Sequence, residues 1–223
     1  RRDGRRAMPP PPAPACSLMT PVLPFPPGAF RRANEEDDRH FYALPRPVVH
    51  LDQAALAALA GLYEALLPAH GLVLDLMASW RSHMPDTFAG TLIGLGMSAA
   101  EMRDNPRLAQ ALVHDLNREP RLPFADDAFD AVVCAVSVQY LTRPAEVFAE
   151  VRRTLRAGAP LVVSFGDRCF PEKAVALWHA ATSEQHVAIV AAYFAAGGFP
   201  EVFERRHAPA GDPLYVVWSF KPS

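Results

Sequence analysis

Hydrophobic and polar positions divide the chain into two parts with different patterns. Residues 1–34 show no apolar periodicity and are rich in arginine, proline and alanine. Beyond residue 50, stretches with the spacing of an amphipathic helix alternate with short apolar runs. Because the first segment cannot bury enough surface to offset its ordering entropy, we predict a disordered leader over residues 1–34. Residues 35–223 are predicted to form one domain.

The second part predicts strands and helices in alternation. Asp52 is placed to cap a helix that Pro68 ends, and Pro144 begins another helix. Ser98 and Glu101 have the spacing of a capping box at the start of a third helix. Five apolar runs predict strands, and the fourth lacks polar alternation, as is typical of a parallel strand buried on both faces. These strands are predicted at residues 72–76, 91–95, 111–114, 130–136 and 161–165.

The C-terminal part begins with two helices, predicted at residues 171–182 and 184–196. Two strands follow at residues 201–206 and 215–220, joined by a short loop of turn-forming residues. Such a pair forms a hairpin, so one of its strands runs antiparallel. The predicted fold class is therefore α/β, a doubly wound, Rossmann-like sheet of seven strands with an antiparallel C-terminal hairpin strand.

Charge changes this picture mainly at the N-terminus. The 223 residues carry a net charge of −2, but residues 1–34 hold six arginines and one aspartate, which leaves an acidic domain. An acidic domain argues against nucleic-acid binding, which normally needs a basic face. The basic, acid-poor leader is interpreted either as the remnant of an organellar transit peptide or as a disordered tail.

Neither a membrane span nor a metal site is expected. The longest apolar run, residues 187–196, is about half of the roughly 20 residues that a membrane-spanning helix needs. The three cysteines have no CxxC spacing, and their odd number argues for a reducing compartment. His179 and His186 have no carboxylate at metal-ligand spacing, so no metal is predicted. The oligomeric state is left open.

The most specific motifs surround the fourth and fifth predicted strands. They read LPFADDAFDAVV from Leu122 and EVRRTLRAGAPLVVSF from Glu150. Through these motifs, residues 50–223 resemble the class I S-adenosylmethionine-dependent methyltransferases. The stretches FYALPRPVVHLD from Phe41, GLGMSAAEMRDNPRL from Gly94 and SFGDRCFPEKAVALW from Ser164 are similar to a narrower methyltransferase-like group of plants, algae and cyanobacteria. This resemblance implies S-adenosylmethionine as the cofactor and the chloroplast stroma as the location, with the cytoplasm as the alternative.

The resemblance also implies roles for residues at the strand ends. Asp75 closes the first predicted strand, where the family has the carboxylate that receives the methionine end of the cofactor. Asp115 falls where the family binds the adenine amino group, and Gly96 falls where an acid binds the ribose hydroxyls. The implied cofactor-binding residues are Asp75, Met77, Ser79, Gly96, Met97, Asp115 and Leu116.

Two positions depart from the family's pattern. The turn that follows Asp75 reads MASWR, so the glycine-rich motif is degenerate where the backbone normally approaches the cofactor. Gly96 replaces the ribose acid, and Glu101 is a candidate substitute one turn into the next helix. A dinucleotide oxidoreductase is disfavoured because the turn lacks its glycine fingerprint. Two functions remain: a methyltransferase for an unidentified small-molecule acceptor, or an inactive methyltransferase-like scaffold or assembly factor.

Three residues near the predicted ligand side are candidates for catalysis. His83 is either a general base or an ordinary loop residue, and Tyr140 either contacts the substrate or packs on the next helix. Arg168 either binds an anionic substrate or forms a structural ion pair. A further segment either lies across the cleft as a lid or packs against outer helices, and its residues are Phe41, Tyr42, Arg46 and His50.

Overall fold

The computed structural model describes residues 16–18, 25–207 and 211–223, and only the backbone of residues 16–18. The strands are β1 (Cys16–Leu18), β2 (Leu72–Leu76), β3 (Thr91–Gly96), β4 (Gln110–Val113), β5 (Ala131–Ala135), β6 (Pro160–Phe165), β7 (Val202–His207) and β8 (Leu214–Phe220). The α-helices are α1 (Asp38–Phe41), α2 (Gln53–Leu66), α3 (Ala99–Arg103), α4 (Pro144–Thr154), α5 (Ala176–His179) and α6 (Ser183–Ala196).

The strands form one sheet in the order β1-β7-β8-β6-β5-β2-β3-β4. Strands β2 to β6 are mutually parallel, and β8 pairs antiparallel with both β6 and β7. The chain proceeds from β2 towards β4 on one side and resumes with β5 on the other side of β2, so a topological switch point lies between β2 and β5. The predicted α/β sheet with an antiparallel C-terminal hairpin strand is confirmed, and β1 adds an eighth strand beside β7.

Helices cover both faces of the central strands. Val73 packs in one core cluster with α2, whereas the next residue, Leu74, packs in a second cluster with α4 and α6. The same alternation holds on β5, where Val133 belongs to the first cluster and Cys134 to the second. Because each strand has two buried faces, these segments are continuous apolar runs in the sequence, and their C-terminal ends are held rigidly.

The helix predicted at residues 171–182 is wrong over most of its length, since only α5 forms there. The backbone before α5 pairs with the N-terminal part of the chain instead. Val175 forms an antiparallel bridge with Arg32, and the Asn34 N–H donates to the Glu172 carbonyl over 2.9 Å. A long-range pairing of this kind has no periodic signature, so local spacing favoured a helix.

An N-terminal strap, residues 25–50, packs along the outside of the domain towards the C-terminal ends of the strands. The Phe25 and Phe30 rings contact Tyr193 of α6 at centroid distances of 5.5 and 6.1 Å. The Arg31 carbonyl accepts a hydrogen bond from the Ala176 N–H over 2.7 Å. Most of the leader predicted at residues 1–34 lies outside the described residues, and its boundary stays a prediction, but residues 25–34 are packed against the domain. No helix in the described ranges is both long and apolar enough to cross a membrane.

Candidate functional site

A cleft opens at the C-terminal ends of β2, β3, β4 and β5, beside the switch point of the sheet. The strand ends and the turns after them form its floor, and the strap forms the opposing wall. The floor includes all seven residues predicted to bind the cofactor: Asp75, Met77, Ser79, Gly96, Met97, Asp115 and Leu116. The strap contributes Asp38, Tyr42, Arg46, Val48, Val49 and His50. The fold therefore brings the candidate residues together, while their individual roles stay predictions.

Asp75 is a buried carboxylate at the end of β2. Ser82 Oγ donates to its Oδ2 over 2.5 Å, and within the described ranges no donor reaches Oδ1. Burial raises the pKa of Asp75 to about 7, because one hydrogen bond from Ser82 offsets only part of the desolvation. A cationic ligand group beside this carboxylate would relieve that cost and favour its ionised form.

Side-chain hydrogen bonds fix the turn after β2 without any glycine. Asn105 Nδ2 donates to Ser82 Oγ over 2.9 Å and to the Ser79 carbonyl over 2.8 Å. Asn105 and Ser82 are both buried. Asn105 was not identified from the sequence, because an isolated asparagine in a loop carries no spacing signal.

The path of this turn explains why position 96 is a glycine. Met77 has φ +62°, and the Ala78 N–H that follows donates to the Leu95 carbonyl over 2.9 Å. The turn thereby lies against the end of β3. A Cβ atom at position 96 would lie 2.1 Å from the Ala78 carbonyl oxygen. While the turn follows this path, position 96 has no room for an acidic side chain of the kind that binds the ribose in the family that this chain resembles.

Glu101 places a carboxylate in the same cleft as Gly96. Its Oε2 accepts from Ser79 Oγ and its Oε1 from the Arg46 N–H, both over 2.6 Å. The capping box predicted for Ser98 and Glu101 is therefore only half formed. Ser98 Oγ accepts from the Glu101 N–H over 3.3 Å, but the Glu101 carboxylate turns away to the turn and the strap. Glu101 thus connects the two walls of the cleft.

Asp115 follows β4 and stabilises the turn that begins there. Its Oδ1 accepts from the Asn117 N–H over 3.0 Å and from the Arg118 N–H over 3.3 Å. Asp115 is half-buried, and the adjoining Leu116 is buried. Local hydrogen bonds therefore orient the Asp115 carboxylate at the cleft.

Two strained residues lie at the ends of the adjacent strands β2 and β5. Val136, directly after β5, has φ +47°, which is a conformational outlier for a β-branched residue, and Met77 is its counterpart after β2. The Val136 backbone is fixed on both sides, since its N–H donates to the Ser164 carbonyl and its carbonyl accepts from Gln139 Nε2. Such strain costs on the order of 1–3 kcal/mol per residue and clusters at functional sites. It marks the switch point as a site with a constrained shape.

A buried cluster of charges ties the strap to the edge of the sheet. The Asp38 carboxylate accepts from Arg32 Nη1 over 2.7 Å and lies 2.9 Å from Lys173 Nζ, and Asn117 Nδ2 donates to it over 3.1 Å. Burial alone would raise the pKa of Asp38, but the hydrogen bonds from Arg32 and Lys173 lower it below its ordinary value. From this anchor the strap continues along the cleft. Of the residues expected to form a lid, Tyr42, Arg46 and His50 line the cleft, and Phe41 packs against Phe170.

The three candidates for catalysis are in different places. His83 lines the cleft, and burial together with the nearby cation of Arg81 lowers its pKa to about 4, so the imidazole is neutral at pH 7. Tyr140 also lines the cleft, and its hydroxyl accepts from the Phe170 N–H over 2.8 Å. Arg168 is not among the cleft-lining residues and forms an ion pair of 2.6 Å with Asp212.

The two histidines considered for a metal point to backbone carbonyls. His179 Nε2 lies 2.7 Å from the Pro171 carbonyl, and His186 Nε2 lies 2.8 Å from the Trp178 carbonyl. The His186 ring also stacks on the Trp178 ring at 3.8 Å. Across residues 25–207 and 211–223, no three histidine, cysteine or acidic side chains are grouped as metal ligands.

Comparisons with known proteins agree with this geometry. Residues 78–163 match the family described as methyltransferase domain. An S-adenosylmethionine-dependent methyltransferase of Thermotoga maritima is 18% identical with a TM-score of 0.54, and the match covers 75% of this chain and 89% of that one. A candidate methyltransferase of Bacillus halodurans is 14% identical with a TM-score of 0.50, over 77% of this chain and 99% of that one. A search of curated protein sequences finds no match.

A third solved structure contains the cofactor itself. Phosphoethanolamine N-methyltransferase 2 of Haemonchus contortus, in complex with S-adenosyl-L-methionine, is 12% identical with a TM-score of 0.51, over 76% of this chain and 52% of that one. At these identities the likeness defines the fold. The protein therefore has the class I methyltransferase fold. The match to the methyltransferase-domain family spans residues 78–163, from the turn after β2 into β6, which is less than half of the chain.

Proposed function

We propose that the protein is an S-adenosylmethionine-dependent methyltransferase that acts on a small-molecule acceptor. The observation that carries this proposal is Asp75, a buried carboxylate with one hydrogen bond, placed at the switch point of a class I methyltransferase fold. A buried carboxylate costs free energy unless it meets a cation or several donors. The α-ammonium of a bound methionine moiety is a cation suited to this position.

Other residues of the cleft fit the remaining parts of the cofactor. Asp115 and Leu116 adjoin the end of β4, where they would receive the adenine. Gly96 cannot supply a ribose carboxylate, but Glu101 offers a buried carboxylate in the same cleft. To accept ribose hydroxyls, Glu101 would exchange its bonds from Ser79 Oγ or the Arg46 N–H, so cofactor binding and the strap would be coupled.

Methyl transfer from a sulfonium requires mainly that the protein position the acceptor. When bound, the cofactor would supply a methyl group on a sulfonium. The protein would contribute by holding the acceptor in line with that group, which is worth several kcal/mol of the barrier, on the order of 7 kcal/mol where alignment is good. His83 is neutral at pH 7, but its pKa of about 4 makes it a weak base, so positioning is the main contribution of the protein.

A specific observation favours a second candidate function, a methyltransferase-like scaffold without activity. The Ala78 carbonyl occupies the space beside Gly96, and side chains replace the glycines of the turn. In this alternative, the hydrogen bonds of Glu101 to the turn and to the strap would hold both segments permanently in the cleft, so that no cofactor could enter. Cofactor binding separates the two candidates.

The test is calorimetric titration of the full chain with S-adenosylmethionine and S-adenosylhomocysteine. We expect binding and a rise in melting temperature, since a ligand of the native state must stabilise it. Asp115→Asn keeps the Oδ1 acceptor of its turn but removes the charge, and it should weaken binding about tenfold. Asp86→Asn, at an exposed position outside the cleft, is the matched control. Absence of heat and of thermal stabilisation at millimolar ligand would establish the scaffold.

We further propose that the protein belongs to the methyltransferase-like group of plants, algae and cyanobacteria and is located in the chloroplast stroma, with the cytoplasm as the alternative. Support comes from the stretches that begin at Phe41, Gly94 and Ser164 and from the basic, acid-poor composition of residues 1–34. A fusion of residues 1–34 to a fluorescent protein tests the location. Fluorescence confined to the cytoplasm would contradict it.

A further inference from the structure

Two arginines line the cleft without a carboxylate partner. Arg46 Nε donates to the Phe41 carbonyl, and its guanidinium carbon stands 3.9 Å from the centroid of the Phe41 ring. Arg81 is exposed at the turn after β2, and no acidic side chain in the described part of the chain pairs with it or with Arg46. By contrast, Arg32 and Arg168 have close aspartate partners. Arg46 and Arg81 are therefore available to a ligand.

The acidic residues of the cleft are engaged elsewhere. Glu101 accepts from Ser79 and from the Arg46 backbone, and Asp38 is neutralised by buried cations. Asp115 stabilises its own turn, and Asp75 lies at the buried end of β2. These carboxylates belong to the floor or to the anchor of the strap. The positive charges of Arg46 and Arg81 at the cleft are consequently not neutralised by these carboxylates.

Two histidines that line the cleft have lowered pKa values. Burial, together with the nearby Arg81 cation and the His50 ring, lowers the pKa of His83 to about 4. Burial also lowers the pKa of His50, with a contribution from Arg168. Neutral imidazoles beside guanidinium groups offer hydrogen bonds to an anion without adding a competing negative charge.

Aromatic rings form an apolar surface in the same cleft, and the Arg46 guanidinium carbon lies 5.8 Å from the centroid of the Phe170 ring. Phe170 is the centre of the group, with ring centroids 5.1 Å from His50, 5.5 Å from Phe41 and 6.0 Å from the stacked ring of Tyr140. Trp80 lines the same cleft, and its Nε1 donates to the Val48 carbonyl of the strap over 3.3 Å. The flat rings of Phe170 and Trp80 in one cleft suit a planar ligand body.

We propose that the methyl acceptor is an aromatic carboxylate, bound through its carboxylate by Arg81 and Arg46 and through its ring against Phe170 and Trp80. One carboxylate oxygen would form the new bond to the methyl carbon as the sulfur–methyl bond breaks, so that the products are a neutral ester and a neutral thioether and no proton is released. This inference rests on the proposed methyltransferase function. The planar fork of a guanidinium matches a carboxylate in two parallel hydrogen bonds. The cleft then divides by charge. The acids of the floor face the cationic cofactor, and the arginines face the anionic acceptor.

The experiment measures binding of benzoate to the full chain by calorimetry and by thermal shift, with and without saturating S-adenosylhomocysteine. Benzamide, the neutral analogue of the same shape, and phenyl phosphate are measured in parallel. We expect benzoate to bind more tightly than benzamide. Arg81→Gln and Arg46→Gln should each weaken benzoate about tenfold or more, because each removes a charge-assisted hydrogen bond. Arg121→Gln, an exposed arginine outside the cleft, is the matched control.

The outcomes separate this inference from the proposed function. Two results would overturn the aromatic carboxylate as the acceptor while the proposed methyltransferase function stands, provided that S-adenosylhomocysteine binds. Either benzoate binds no better than benzamide, or the Arg81 variant binds benzoate as tightly as the Arg121 variant. If phenyl phosphate binds more tightly than benzoate, the anionic group of the acceptor is a phosphate and the proposed carboxylate is wrong. If benzoate binds through Arg81 while S-adenosylhomocysteine does not bind, the assignment of a methyl acceptor is overturned together with the proposed function.

Discussion

The two walls of the cleft are stabilised in different ways. Floor residues such as Asp75 and Gly96 stand on strands that are hydrogen-bonded to neighbours and buried on both faces. The part of the strap from Asp38 to His50 has no strand pairing. It is held by the charges around Asp38, by hydrogen bonds to Glu101 and Trp80, and by the contacts of its aromatic rings with Phe170. Opening the cleft on the strap side therefore requires the loss of a few side-chain contacts, whereas moving the floor requires disruption of the sheet.

The largest effect is expected where the strap is anchored. Asp38→Asn removes the buried counter-charge of Arg32 and Lys173. Within the described ranges, Arg32 then has only the exposed Glu35 carboxylate at 3.8 Å, and Lys173 has only neutral oxygen acceptors. Breaking a buried ion pair by removing one partner costs about 3–5 kcal/mol. Urea denaturation at pH 7 measures this as a loss in the free energy of unfolding.

The neighbouring position supplies a matched control for Asp38. Asp37 is paired with the exposed Arg39, so Asp37→Asn should leave the free energy of unfolding essentially unchanged. Hydrogen exchange then tests the difference between the walls. In Asp38→Asn, amides of residues 38–50 should exchange faster, while those of β2 and β5 keep their ranking as the slowest. Uniformly faster exchange in strap and strands would refute the distinction.

The next effect concerns the floor and depends on pH. Burial raises the pKa of Asp75 to about 7 from an ordinary value of 3.8, so the folded protein favours the protonated carboxyl. The contribution of the protonated Asp75 carboxyl to the free energy of unfolding is therefore fully present below pH 4, and it is lost as the pH rises through 7. The cost of ionisation approaches about 4 kcal/mol at most, at 1.36 kcal/mol per pKa unit.

Asp75→Asn should therefore unfold at higher urea than the parent protein at pH 8 and at nearly the same urea at pH 4. The same variant should bind S-adenosylmethionine poorly, because it lacks the charge for an ammonium. A variant that is more stable than the parent protein but binds the cofactor less tightly indicates that Asp75 serves ligand binding and not the stability of the fold. Equal free energies of unfolding for the two proteins at pH 8 would show that burial of the ionised Asp75 carboxylate does not destabilise the fold.

The sequence could predict the floor because strand ends follow from local pattern. Apolar runs located β2, β3, β4 and β5, and the resemblance to class I methyltransferases then implied Asp75 and Asp115 at the strand ends. The strap could not be assembled in the same way. The contacts of Asp38 with Lys173 and of Glu101 with Arg46 join residues far apart in the chain, and nothing in their neighbourhoods indicates the partner. The failed helix at residues 171–182 has the same cause, a long-range pairing with the strap.

The smallest effect tests why the floor has a glycine where the resembled family has an acid. In Gly96→Ala, the new Cβ would lie 2.1 Å from the Ala78 carbonyl oxygen, and backbone must move to admit it. We expect a loss of about 1–3 kcal/mol in the free energy of unfolding, as for overpacking. Gly94→Ala on the same strand is the control. Its Cβ would meet Leu108 Cδ1 at 2.5 Å, the end of a flexible side chain, and would stay 3.2 Å from the nearest atom of the turn, Ala78 Cβ.

Gly96→Asp extends this test from stability to binding, because it introduces a carboxylate at position 96 without changing the sequence of the turn. If the turn and Gly96 form one unit, the aspartate should lower stability at least as much as the alanine and should not improve binding of S-adenosylhomocysteine, since Glu101 remains bonded to Ser79 and to the strap. Tighter binding by Gly96→Asp at unchanged stability would mean that the turn moves aside readily. The Met77 backbone, already at φ +62°, would then be the hinge of that movement, and the floor would be no more rigid than the strap.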